Sequence, residues 1–144
     1  MNIKLINKSS HAAPEYKTQG SSGMDIRANL ASPVLLHPQE HALIPTGLFL
    51  EMPNTLEAQI RPRSGLALKQ GVTVLNTPGT IDSDYRGEIG VILINHSKNV
   101  CKIEDGDRIA QLVVMAVQKA NWSEQDSLTK TERGCGGFGS TGTN

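Results

Sequence analysis

The sequence predicts an all-β domain, a sandwich or barrel of short strands, and three observations carry that prediction. Short apolar stretches recur along most of the 144 residues, each closed by turn residues. Pro33, Pro38, Pro45, Pro53, Pro62 and Pro78 punctuate those stretches. A helical pattern occurs at one place: Ser64 can cap a helix, Leu66-Ala67-Leu68-Lys69 are good formers, and Gly71 can close it after about two turns.

In chain order the strand signals fall at 3–6, 24–28, 34–36, 42–44, 47–51 and 56–61, then at 72–75, 88–95, 100–103 and 108–117. Residues 89–94 read Ile-Gly-Val-Ile-Leu-Ile, an unbroken apolar run rather than an alternating one. Such a strand is covered on both faces, and in so small a domain another subunit can supply the second cover. With two Phe, two Tyr and one Trp, the core must be aliphatic. One domain is expected: a β body over 1–120, then a polar connector and a Gly-rich lid over 121–144. Trp122 and Leu128 are the large apolar anchors of that connector.

Composition limits the function. Lys plus Arg and Asp plus Glu number 14 each, so net charge is zero, whereas a general nucleic-acid binder is basic. No apolar run approaches the ~20 residues a membrane helix needs. Met1-Asn2-Ile3-Lys4 shows no secretory apolar segment, and the cytoplasm is the expected compartment. Cys101 sits in an apolar strand and reads as a small core residue; Cys135 lies in the tail. There is no G-x-x-x-x-G-K-[ST] loop and no H-x-E with P-C-x-x-C zinc signature. His37 and His41 are four apart, but Pro38 between them argues against a helical metal pair.

Five clusters carry chemistry. The tail 134–144 holds five Gly, with Arg133 before it and Phe138, Ser140 and Thr141 inside it. Alone it cannot bury enough surface to be ordered. It nonetheless supplies a charge, two hydroxyls, converging N–H groups and a ring for a base, as a lid over a phosphorylated nucleotide would. Gly137-Phe138-Gly139-Ser140-Thr141-Gly142 also fits G-x-G-x-x-G, but two residues remain after it where a helix should start. Arg61-Pro62-Arg63-Ser64-Gly65 places a charge and a hydroxyl at a helix start, a natural phosphate position or simply a capped end beside a solvated Arg.

The third cluster runs from Asn76 to Gly90. Pro78-Gly79 signals a hairpin whose backbone can copy the edge of a base, with Asp82 at its mouth and Tyr85 three residues on. Asp82 and Asp84 read equally as surface turn carboxylates, and no calcium-loop spacing follows. The fourth, Gly106-Asp107-Arg108-Ile109-Ala110-Gln111-Leu112, puts the amide of Gln111 in an apolar run, where it needs a phosphate or a backbone partner. The fifth, Ser22-Gly23-Met24-Asp25-Ile26-Arg27-Ala28, puts Asp25 inside a strand, so it must be paired or functional.

Taken together and in chain order, as 22–28, 61–71, 76–90, 106–112 and 133–142, these five segments resemble the motifs of the homotrimeric dUTPase family, over nearly the whole chain. The resemblance implies a distorted β-barrel or jelly roll forming a three-fold trimer with shared active sites. It implies hydrolysis of dUTP to dUMP and pyrophosphate, with Asp82 activating the water that attacks the α-phosphorus. Arg63, Ser64, Gly65 and Gln111 would hold phosphates. Asn76 with Gly79, Thr80 and Ile81 would read uracil, Tyr85 would pack under the deoxyribose, and Gly90 would also bind substrate. Arg133, Phe138, Gly139, Ser140 and Thr141 would act from the tail, and Asp25 would support the site from beneath. Mg²⁺ would ride on the phosphates without a protein cage, since it keeps its waters. The rival readings are a dCTP deaminase on the same scaffold and a trimeric nucleotide-binding module without catalysis.

Overall fold

The computed structural model describes residues 2–137; Phe138, Gly139, Ser140 and Thr141 lie outside the described residues. Eleven strands and one helix follow in order. They are β1 (Lys4–Asn7), β2 (Met24–Arg27), β3 (Val34–Leu36), β4 (His41–Pro45), β5 (Leu48–Glu51), β6 (Leu56–Arg61), α1 (Ser64–Gln70), β7 (Val72–Val74), β8 (Gly79–Ile81), β9 (Gly90–Asn95), β10 (Cys101–Ile103) and β11 (Arg108–Ala116).

All seven strand pairings are antiparallel. They make four small sheets, ordered β1-β5, β10-β3, β2-β11-β6-β8 and β4-β9-β7, so the described strands form no closed barrel ring and the architecture is jelly-roll-like. The four sheets share one aliphatic core, in which Ile26, Leu36, Ile44, Val91, Leu93 and Ile109 are at most 1% exposed. Alternation makes this possible. In β6, Leu56, Ala58 and Ile60 turn inward while Glu57, Gln59 and Arg61 form a polar ladder on the other face.

The central strand β9 departs from alternation, as its composition predicts. Ile89, Val91, Leu93 and Asn95 are fully buried, and Ile94 on the opposite face is 8% exposed. Ile92 is only partly covered there, and Leu43 across the ladder is 66% exposed. Asn95 ends the strand without leaving a buried polar group unpaired. Its amide donates to the carbonyls of Leu36 (2.8 Å) and Asn99 (2.7 Å), and its oxygen accepts from the Ser97 N–H (2.9 Å).

Two local expectations need correction. Arg63, not Ser64, is the helix N-cap: its backbone is extended and its carbonyl accepts from Ala67 N–H, which places Ser64 in the first turn. Gly71 does close the helix, left-handed at φ 65°. The second correction concerns Pro78-Gly79. The flanking strands do not form a hairpin, because β7 pairs with β9 and β8 pairs with β6. Each short strand finds a longer partner in a different sheet, and 75–78 is the crossing between them. Beyond β11, Trp122 and Leu128 are 92% and 88% exposed, so they do not anchor the connector to the core among the described residues.

Candidate functional site

The sequence-predicted residues fall into two groups. The first surrounds Asp25 on β2, opposite Gln111 on β11. Arg63 Nε donates to one carboxylate oxygen of Asp25 (3.0 Å) and Arg108 Nη1 to the other (3.1 Å); Arg63 also reaches the Arg108 carbonyl (3.0 Å). Burial disfavours the Asp25 charge, but the two guanidinium groups outweigh it and hold its carboxyl below the ordinary 3.8. Asp in a strand is thus paired, as its placement demands. Arg63 is fixed at the start of α1 by this contact, with Ser64 and Gly65 exposed beside it. A Cβ added at Gly65 would meet nothing within 4 Å, so space above the helix start is open.

Gln111 lies against Gly23, whose hypothetical Cβ would sit 3.4 Å from Gln111 Cβ and 3.5 Å from its side-chain oxygen. Its amide has no hydrogen-bond partner among the described residues and is half-buried, free to take an external acceptor.

The second group lines a cleft of about 270 Å³ that includes Thr80, Ile81, Asp82, Tyr85 and Gly90. Asp82 to Tyr85 is one tight turn, closed by Tyr85 N–H to the Asp82 carbonyl (3.1 Å) and braced by Arg86, which donates to the carbonyls of Ser83 (2.7 Å) and Tyr85 (3.1 Å). Asp82 is exposed and has no ion pair among the described residues. Tyr85 lays its ring over Gly87, where a Cβ would come within 2.3 Å of the phenol oxygen, and donates its hydroxyl to the Glu88 carbonyl (3.0 Å). Gly90 admits Leu43, whose Cδ1 lies 2.5 Å from where a Cβ would be.

Strand β8 is the edge of its sheet, so one side of Gly79, Thr80 and Ile81 offers backbone groups that no strand among the described residues takes. The base-reading surface the sequence suggested is therefore a strand edge rather than the inside of a hairpin. Asn76 reaches back over it: its amide nitrogen lies 3.3 Å from where a Gly79 Cβ would be. Gly79 and Asp82 are three residues apart along extended chain, about 10 Å.

The cleft around Asp82 contains none of Arg63, Ser64, Gly65 or Gln111. Within one chain, Asp82 and the group of Arg63, Ser64, Gly65 and Gln111 therefore stand in separate places. Arg133 bonds the Gly136 carbonyl (2.9 Å), within its own segment. Sequence reasoning missed three positions. Arg108 completes the Asp25 cluster, Gly87 makes room for the Tyr85 ring, and Glu88 joins the cleft to the β4–β5 turn. A signal existed for the first alone, since a carboxylate in a strand requires cationic company.

A model of the family described as dUTPase matches residues 9–142. The chain belongs to the dUTPase family. It is 58% identical over 129 residues to a deoxyuridine 5'-triphosphate nucleotidohydrolase of Treponema denticola, covering 90% of each chain. A protein of the same description from Rickettsia felis is 54% identical over 140 residues, 97% of this chain and 95% of the other. Among solved structures, a dUTPase of Staphylococcus bacteriophage 80alpha with dUpNHpp superposes with a TM-score of 0.85 at 25% identity, covering 99% of both chains. The jelly-roll-like fold built above from the residues is thus shared with the dUTPase structures. Among the described residues no helix is long and apolar enough to cross a membrane.

Proposed function

We propose that Asp82 is the general base of the dUTP hydrolysis that membership of the dUTPase family assigns to this chain, the step that keeps uracil out of DNA and supplies dUMP. Water between Asp82 and the α-phosphorus gives its proton to the carboxylate as its oxygen bonds to phosphorus. The bond from the α-phosphorus to the bridging oxygen breaks, and pyrophosphate leaves with that electron pair, giving dUMP. The observation that carries this is an exposed carboxylate without an ion pair, held by a tight turn one step beyond a free strand edge. A base that must take a proton cannot already be neutralised by a fixed cation.

The remaining roles follow from chemistry. The unpaired edge of Gly79, Thr80 and Ile81, with the Asn76 amide, reads uracil; cytosine would leave these donors and acceptors mismatched. Tyr85 supplies the face beneath the deoxyribose, with Gly90 beside it, so that a 2'-hydroxyl is excluded. Arg63, Ser64, Gly65 and the Gln111 amide hold phosphate oxygens, with Asp25 fixing Arg63 from below. Arg133, Phe138, Gly139, Ser140 and Thr141 close over the nucleotide from the tail. Such chemistry depends on positioning and charge stabilisation more than on covalent help.

Mg²⁺ fits as a passenger of the substrate. Among the described residues no cluster of three or more His, Cys, Asp or Glu is placed to cage an ion, whereas a triphosphate offers the oxygens it prefers. When bound there it offsets phosphate charge. The separation of Asp82 from Arg63 and Gln111 within one chain supports a site completed between copies, in a homotrimer. The partly open second face of β9 supports the same assembly. No nucleic-acid or membrane partner is proposed, and the cytoplasm is the proposed setting.

The test is pyrophosphate release from dUTP, dTTP, dCTP and UTP side by side, with ammonia measured from dCTP. Release from dUTP above all others is expected; ammonia from dCTP would favour a deaminase. Trimers reassembled from a mixture of Asp82→Asn and Gln111→Ala chains should recover activity that neither variant shows alone. Failure of that mixture to recover anything would argue against shared sites.

A further inference from the structure

We infer that Glu88 is a positioning residue: its carboxylate bolts the segment beneath Tyr85 to the core and so sets how closely the Tyr85 ring approaches the sugar. This rests on the reading of Tyr85 as the face under the deoxyribose. One oxygen of Glu88 accepts from two consecutive backbone amides, Thr46 N–H (3.1 Å) and Gly47 N–H (2.7 Å). Two amides converging on one carboxylate oxygen make a small anion nest, and a charged acceptor strengthens both bonds.

The turn that offers those amides does not move easily. Thr46 is 1% exposed, and its hydroxyl donates to the Ile89 carbonyl (2.6 Å) and accepts from Leu48 N–H (3.2 Å). Ile89 N–H returns a bond to the Leu48 carbonyl (2.8 Å). Gly47 is left-handed at φ 71°, and a Cβ on it would lie 2.7 Å from the backbone nitrogen of Ser9. The segment 88–89 is thereby stitched to a rigid block.

Tyr85 is held at two points, and one of them is that stitched segment. Its backbone N–H closes the turn on Asp82, and its hydroxyl donates to the carbonyl of Glu88 itself. Its single donor is used, so the phenol serves as a pinned surface rather than as a donor to the nucleotide. The height of the ring follows the position of the Glu88 backbone, which follows the two amide bonds. Telling a hydrogen from a hydroxyl at one sugar carbon needs that surface held within a fraction of an ångström.

The test compares wild type, Glu88→Ala and Glu88→Gln for kcat and KM with dUTP and UTP. Glu88→Ala should lower the preference for dUTP over UTP about threefold to tenfold, the range one lost hydrogen bond supports. Glu88→Gln keeps a neutral oxygen on the same atoms and should restore the preference to within about threefold of wild type. A folded Glu88→Ala protein with unchanged preference, or one in which both nucleotides lose equally, overturns the assignment. Should Glu88→Ala fail to fold by circular dichroism, Tyr85→Phe keeps the ring and cuts its bond to the Glu88 carbonyl. An unchanged preference in that variant is equally fatal. Asp82→Asn run alongside separates the two claims: if it is inactive while the Glu88 variants keep full preference, Glu88 alone is wrong. An active Asp82→Asn sinks the reading of the cleft itself.

Discussion

Asp25 and Asp82 are both carboxylates of the proposed site, yet their surroundings are opposite. Asp25 has a side chain 13% exposed and a guanidinium on each oxygen. Asp82 stands exposed on a turn with no cation bonded to it among the described residues. The first arrangement spends its charge on geometry: it neutralises two arginines and fixes Arg63 at the start of α1. The second leaves its charge unspent, available to an incoming proton. Two identical side chains are thus suited to different tasks, because one is given partners and the other is denied them.

The comparison can be broken most directly at Asp82. Asp82→Asn should lower kcat by about 10²–10⁴-fold, the usual contribution of a positioned base, while dUpNHpp binding measured by calorimetry stays near wild type. Equal turnover in that variant would erase the distinction between the two acids. Removing 134–144 should leave a folded protein whose turnover falls about a hundredfold, the scale of lost transition-state donors, with an unaltered melting curve. Asp25→Ala is expected to act on the fold instead. It leaves two cations facing one another and should cost about 1–2 kcal/mol in urea unfolding, less than a fully buried pair because Arg108 is half in water.

The smallest effect sharpens the contrast through pH. Because the folded Asp25 carboxyl titrates below its ordinary 3.8, the stability it contributes is complete above that value. It is lost as the pH falls from there through the lower folded value. Unfolding free energies at pH 3 and pH 7 should therefore differ less for Asp25→Asn than for wild type. An identical acid dependence in both proteins would show that this carboxylate is not specially stabilised.

Much of this was legible in the sequence, for identifiable reasons. Strands such as β6 and β11 were readable because alternation and unbroken apolar runs are local patterns, and Gly71 marked a helix end by itself. The five clusters carried the family because each contains several chemically specific residues close together. The hairpin expected at Pro78-Gly79 misled because a turn dipeptide says where the chain bends, not which strands then pair. That choice is made by β9 and β6, remote in sequence. Glu88 stayed invisible for the same reason: its partners lie 42 and 41 residues away, and nothing near it marks a gap that it fills. The separation of Asp82 from Arg63 became visible only when the cleft could be seen to exclude the arginine.

The unpaired margin of β8 has one more consequence. If peptide groups do the sorting of bases, that sorting is largely indifferent to which side chains the strand carries. Thr80→Ser or Ile81→Val would alter contacts yet leave the donors and acceptors in place. A lineage drifting at these positions would keep its choice of nucleotide, and only a change that redirects the main chain could revise it.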